Sequence, residues 1–113
     1  MNYEEDRIQA AIVQALSLLG VYFFYVPNSE AGAVSAAKAS RLKAMGLRSG
    51  VSDLVLIGID GRAYFLEIKT ATGKLSESQK KFQALCQAKN WPYAVARSVD
   101  EAVTKAREWG LCA

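Results

Sequence analysis

Two stretches decide the fold: Gly50-Val51-Ser52-Asp53-Leu54-Val55-Leu56-Ile57 and Ala63-Tyr64-Phe65-Leu66-Glu67-Ile68-Lys69. Each is an apolar run of strand length, rich in β-branched and aromatic residues. Asp60-Gly61 lies between them, so residues 53–59 and 63–69 read as a β-hairpin. The charges inside these runs set them apart. Asp53 opens the first, and Glu67 and Lys69 interrupt the second.

Alternate side chains of a strand share a face. Phe65, Glu67 and Lys69 therefore lie on one side of the second strand, and Tyr64, Leu66 and Ile68 on the other. A carboxylate and an ammonium on one face of a central strand are costly to desolvate. Asp53 joins them only if the register permits. A two-residue Asp60-Gly61 turn would oppose Asp53 to Ile68, on the wrong face. An odd-length loop, or a bulge after Asp53, restores agreement. The expectation is one of these two. The alternative is a pair of amphipathic strands with solvated charges.

If the three groups meet, their chemistry is specific. Asp53 and Glu67 would hold a divalent metal through oxygen ligands. Such a metal activates water and stabilises charge on a phosphodiester. Lys69 would orient the water or neutralise developing charge. A protonated lysine is a poor general base, so its role depends on its surroundings.

Working outward, residues 3–19 predict a helix, with Ile8, Ile12, Leu16 and Leu19 forming one apolar stripe and Gly20 as C-cap. Residues 21–26 read as a strand closed by Pro27-Asn28. Residues 29–52 predict a basic, partly ordered, mobile connection in which 33–45 has the composition of a short helix. A helix is expected from Ser76 to about Lys89, and a short strand over 92–96. A last helix should be capped by Asp100 and run to Trp109, stopping at Gly110. This order predicts an α/β sandwich around a small mixed sheet.

The chain has 113 residues, of which 51% are hydrophobic, so it is long enough for one domain with a true core. No apolar stretch reaches the length of a membrane span. Glu4, Glu5 and Asp6 near the start are the opposite of a basic secretory leader. Cys86 and Cys112 lie far apart and the chain has no histidine, which argues against zinc and for a reducing cytoplasm. The net charge is only +3, but its distribution is uneven. Residues 31–52 hold no acid, while Lys38, Arg41, Lys43 and Arg48 all fall there. A basic segment before a cluster of acids suggests a phosphate-binding surface, with a solvated helix face as the alternative.

Two further residues have double readings. A helical wheel puts Glu5 nearer the apolar stripe than Glu4, so Glu5 could reach the strand cluster as a third acid. It could equally serve the helix dipole. Ser76-Glu77-Ser78-Gln79 matches a capping box, in which Gln79 returns to the Ser76 backbone. Gln79 also begins the helix next to the Glu67 strand, where it could face the site.

These residues resemble the virus-type replication-repair nuclease (VRR-NUC) family, a branch of the PD-(D/E)xK nucleases. The matching elements are Glu5-x-x-Ile8-Gln9, Gly50-Val51-Ser52-Asp53, Glu67-Ile68-Lys69 and Leu75-Ser76-x-x-Gln79, in the family's order and across most of the chain. Ser52 departs from the pattern, which often has proline there. The resemblance implies a restriction-endonuclease-like fold and an active-site set of Glu5, Asp53, Glu67 and Lys69, with Gln79 as auxiliary. It implies Mg²⁺ or Mn²⁺ held by Asp53, Glu67 and the Ile68 backbone carbonyl, with Glu5 as a further candidate. At this length the resemblance is to small stand-alone phage or prophage members. It thus implies a single nuclease domain over residues 1–113, a homodimer, and cleavage of branched DNA such as four-way (Holliday) junctions. An end- or flap-processing nuclease and a DNA-binding module without activity are the competing readings.

Overall fold

The computed structural model describes residues 3–27 and 35–113. The expectations for Asn28 and for residues 29–34 lie outside the described residues.

Helix α1 (Tyr3–Leu18) carries Glu4, Glu5 and Asp6 in its first turn, where carboxylates favour the positive helix end. Its stripe buries Ile12 and Leu16 completely. Gly20 takes φ +77°, and Val21 N–H donates to the Leu16 carbonyl, which closes the helix as expected. Strand β1 (Tyr22–Tyr25) follows. Within the segment expected as a basic connection, helix α2 (Ala36–Ala44) forms where the composition of residues 33–45 suggested a short helix. Ser35 caps it by accepting the Lys38 N–H, and none of its residues is buried.

The hairpin is present as β2 (Leu54–Ile57) and β3 (Ala63–Ile68). Gly58 N–H bonds the Arg62 carbonyl, leaving Ile59, Asp60 and Gly61 as an odd-length loop. Asp60 accepts the Arg62 N–H, and Gly61 sits at φ +83°, a conformation cheap only for glycine.

Helix α3 (Glu77–Lys89) crosses to β4 (Tyr93–Ala96), which pairs parallel to β3. Helix α4 (Val99–Glu108) ends the fold. Its cap is Ser98 rather than Asp100. The Ser98 hydroxyl accepts the Glu101 N–H, and the Glu101 carboxylate accepts the Arg97 N–H. The reciprocal pair satisfies two helix-end donors, which Asp100, already inside the first turn, cannot do.

The sheet order is β1-β2-β3-β4, with the β1–β2 pair and the β2–β3 hairpin antiparallel. One face, carrying Leu54, Leu56, Tyr64, Leu66, Ile68 and Ala96, packs on Ile12 and Leu16 of α1 and on Ala102 and Ala106 of α4. Each fully buried Leu or Ile there contributes about 1.5–3 kcal/mol. On the other face, Phe65 meets Phe82 of α3 edge-to-face at 5.2 Å, and Phe82 meets Tyr93 at 6.0 Å. No described helix is long and apolar enough to cross a membrane.

Candidate active site

The hairpin register resolves the parity question. Leu54 opposes Leu66 and Val55 opposes Phe65, so one step further Asp53 stands opposite Glu67, on the same face. The odd-length loop produces this, as expected. The ladder then changes character. Phe65 and Lys69 give their N–H groups to β4, to the Pro92 and Ala96 carbonyls. Ile68 therefore presents its N–H and its carbonyl toward β2. There the Asp53 carboxylate, not a backbone carbonyl, accepts the Ile68 N–H at 2.8 Å. The strands part at this point, and a side chain occupies the gap.

Three contacts hold Asp53 in place. Its carbonyl accepts the Val26 N–H at 2.8 Å. Buried Ser52 donates its hydroxyl to the Leu54 carbonyl at 3.0 Å. Gly50, at φ +80°, lets the preceding loop lie directly on the Ser78 carbonyl at the start of α3, where a Cβ would overlap. The loop carrying Asp53 and the helix carrying Gln79 are thus pressed together.

Glu67 is 1% exposed. Its Oε2 accepts from Gln79 Nε2 at 3.3 Å and lies 3.9 Å from the Lys69 ammonium. Its Oε1 is buried and has no hydrogen-bond partner among the described residues. Burial, then the charge of Asp53 and a hydrogen bond with it, push the Glu67 carboxyl up to about 9, against the pull of Lys69. Without a cation, Glu67 favours its protonated form. A divalent cation would relieve the same repulsion and supply the missing partner of Oε1, so this donor set fits a hard metal ion. Among the described residues, no group of three or more His, Cys, Asp or Glu is gathered tightly enough to form a ready cage. The core of the site is a pair of carboxylates, with Glu5 further out.

Glu5 is nonetheless turned toward that pair. It is half-buried while Glu4 is exposed. Burial raises its pKa, the Lys69 charge lowers it, and Asp53 raises it again. Gln79 realises both of its sequence readings. Its Oε1 accepts the Ser76 N–H at 2.8 Å while its Nε2 reaches Glu67. The box orients the amide, and the amide orients the carboxylate.

Two residues here were not apparent from the sequence. The Arg97 guanidinium donates to the Thr70 and Gly73 carbonyls at 2.6 and 2.7 Å, pinning the turn that follows Lys69. The Tyr93 phenol is raised above its ordinary range by burial first and by the neighbouring Glu67 second. Neither belongs to a local motif, and only the β3–β4 pairing brings them near. Lys38, Arg41, Lys43 and Arg48 are all exposed on or just after α2.

The perturbed carboxyl has a measurable consequence. The folded-state pKa of Glu67 lies above its ordinary value of 4.5, so the native state holds a proton that the unfolded chain has released. The stability of the metal-free protein should therefore fall as pH rises between these values. Glu67→Gln removes that dependence. Urea unfolding in EDTA should find this variant about 1–3 kcal/mol more stable than wild type near pH 8, with a smaller gap near pH 5. A gap that does not change with pH would show that Glu67 is ionised in the metal-free fold.

Known proteins bear on the identity of this arrangement. No curated protein matches the chain. One solved structure, described as a "VRR_NUC domain protein", superposes with a TM-score of 0.71 at 19% identity, over 99% of this chain and 93% of that one. Another, described as "VRR_NUC domain", gives a TM-score of 0.65 at 21% identity, over 93% and 95%. At these identities the likeness shows the mixed four-stranded α/β fold. The sequence itself goes further, because the family model for the VRR-NUC domain matches residues 3–100, a span that runs from α1 through the hairpin to α4. The chain therefore belongs to the VRR-NUC domain family, which implies a nuclease-type, DNA-processing function.

Proposed function

We propose that the protein is a divalent-metal-dependent DNA endonuclease that hydrolyses phosphodiester bonds in branched DNA such as four-way junctions. The observation that carries this reading is the Asp53–Glu67 pair beside Lys69, with Glu67 buried and one of its oxygens lacking a donor among the described residues. Asp53, Glu67 and the Ile68 carbonyl would hold Mg²⁺ or Mn²⁺, with Glu5 as a further candidate ligand. A bound divalent cation supplies Lewis-acid activation of water and charge stabilisation at the phosphate. The chain's own groups do the rest. Lys69 offers an ammonium to the developing charge. Gln79 keeps Glu67 in one rotamer, and burial keeps competing water away. The decisive experiment compares cleavage of a labelled four-way junction, a flap and a linear duplex with Mg²⁺, Mn²⁺ and EDTA. Metal-dependent cleavage confined to the junction supports the reading. Cleavage of the flap or of duplex ends alone replaces it with an end-processing nuclease, and no cleavage of any substrate leaves a DNA-binding module.

Lys38, Arg41, Lys43 and Arg48 form the DNA-binding flank of this reading. Changing Lys38, Arg41 and Lys43 together to Ala should weaken binding to all DNA sequences. It should also reduce the slope of log affinity against log salt by about 2–3. An unchanged slope would make α2 a solvated face.

A homodimer completes the proposal. Among the described residues β1 is an edge strand, with Tyr22 69% and Phe24 47% exposed. Aromatic side chains on an open strand edge are suited to a self-complementary two-fold contact. Sedimentation should find a dimer at micromolar concentration, burying at least about 1,000 Å² in total, and Tyr22→Glu with Phe24→Glu should give a monomer. A monomeric wild type that still cuts junctions would defeat the dimer.

A further inference from the structure

A cleft of about 540 Å³ opens beside the carboxylate pair, between the loop that carries Gly50 and the outer side of α3. Its walls are Val51, Phe82, Leu85 and Trp91, and its only charged lining groups among the described residues are Arg48 and Lys81. Trp91, just past the αL cap at Asn90, rests its ring 6.3 Å from Phe65 and is 44% exposed, while Leu85 is 42% exposed. The volume falls in the range of small-ligand pockets, about 300–1,000 Å³. Apolar walls with an aromatic floor and two cations at the rim suit one kind of occupant: a flat, π-faced group carried on an anionic backbone.

We infer that this cleft receives an unstacked nucleobase of the DNA strand next to the scissile phosphate, stacked on Trp91 with its flanking phosphates on Arg48 and Lys81. The inference rests on the nuclease reading above and adds to it the feature of the substrate that is read. The cleft adjoins the site through the chain itself. Val51 lies two residues before Asp53, and Ser78, against which Gly50 packs, immediately precedes Gln79. A strand lying across Glu67 therefore passes the mouth of the cleft. Among the described residues no acid lines the cleft, so its rim is complementary to phosphate, and the aromatic floor favours a base over an aliphatic side chain. Stacking is indifferent to base identity because every base has a π-face. In continuous duplex no base is free to enter without unpairing, whereas branch points, bulges and flaps present one at little cost. The cleft would thus make the enzyme prefer DNA distorted at the cleavage point without reading its sequence.

The test is equilibrium binding in EDTA at low salt, so that no chemistry is required. Fluorescence anisotropy compares a labelled duplex holding one unpaired base with the same duplex fully paired. Wild type should bind the bulged duplex about tenfold more tightly, the size expected for one base–aromatic stack. Trp91→Ala should abolish the preference and leave affinity for paired duplex unchanged, and Trp91→Phe should restore most of it. Because Trp91 also supports Phe65, Leu85→Glu serves as a second variant. It changes an exposed side chain, places an acid inside the cleft, and should likewise erase the preference. Equal wild-type binding to both duplexes, or a preference that survives both Trp91→Ala and Leu85→Glu, overturns the cleft assignment while leaving the nuclease reading standing. Wild-type binding to neither duplex overturns the nucleic-acid reading itself, and the cleft with it.

Discussion

Asp53→Ala and Glu67→Ala should each lower the rate of metal-dependent DNA cleavage by about 10²–10³-fold or more while leaving DNA binding in EDTA within about twofold of wild type. The asymmetry follows from where the charges sit. Asp53 and Glu67 face each other across the mouth of the hairpin, and Glu67 is buried with an oxygen that no donor reaches. The ionised form of Glu67 is unfavourable in the metal-free fold and becomes favourable when a cation joins the pair. Truncating either carboxylate removes the cation's seat without touching the exposed bases on α2. The measurement is single-turnover cleavage with saturating Mg²⁺ beside anisotropy binding in EDTA. Wild-type rates in either variant would remove the pair from the chemistry.

Gly50→Ala should be the most damaging single-methyl change in the site, costing about 2–4 kcal/mol in urea unfolding. Two penalties combine. The residue holds φ +80°, where any Cβ is strained, and the added carbon would overlap the Ser78 carbonyl backbone, which no side-chain rotation can relieve. Relief must come from moving the loop away from α3, and this loop carries Asp53 while α3 carries Gln79. Cleavage should therefore fall together with stability. Gly46→Ala is the control. It also sits at positive φ, but nothing lies within 4 Å of its Cβ position, so only the smaller conformational cost, about 1 kcal/mol, should remain. Equal costs at the two positions would show that the packing of Gly50 on Ser78 does not hold the site together.

Arg97 offers a contrast with both. It contacts neither carboxylate, yet it fixes the turn after Lys69 through two carbonyls. The sequence around it, a lone arginine after a short strand, carries no signal of that role. Partners so far apart in the chain are joined only by the parallel β3–β4 pairing. Tyr93 comes close to Glu67 by the same pairing. Gly50 differs again. A glycine before an acid is visible in the sequence, but the close approach that demands it belongs to a helix elsewhere in the chain.

What the sequence by itself determined were the features made by neighbours. The stripe of α1 and its Gly20 stop, the Ser76–Gln79 box, and the two apolar runs of the hairpin all follow from interactions within a few residues. The charge pattern of Asp53, Glu67 and Lys69 was equally legible. Local rules misplaced the cap of α4, because Ser98 and Asp100 are both good caps and only the Glu101–Arg97 contact selects Ser98. Tertiary structure decided everything that depends on register and on burial. One residue more or less in the loop between β2 and β3 would turn Asp53 away from Glu67, because the side-chain period of a strand is two. The choice of Glu5 over Glu4, the second hydrogen bond of Gln79, and the raised pKa of Glu67 are likewise products of packing. They depend on how closely α1, α3 and the hairpin approach one another. Distance and desolvation set the strength of charge interactions, and neither quantity exists until the chain has folded.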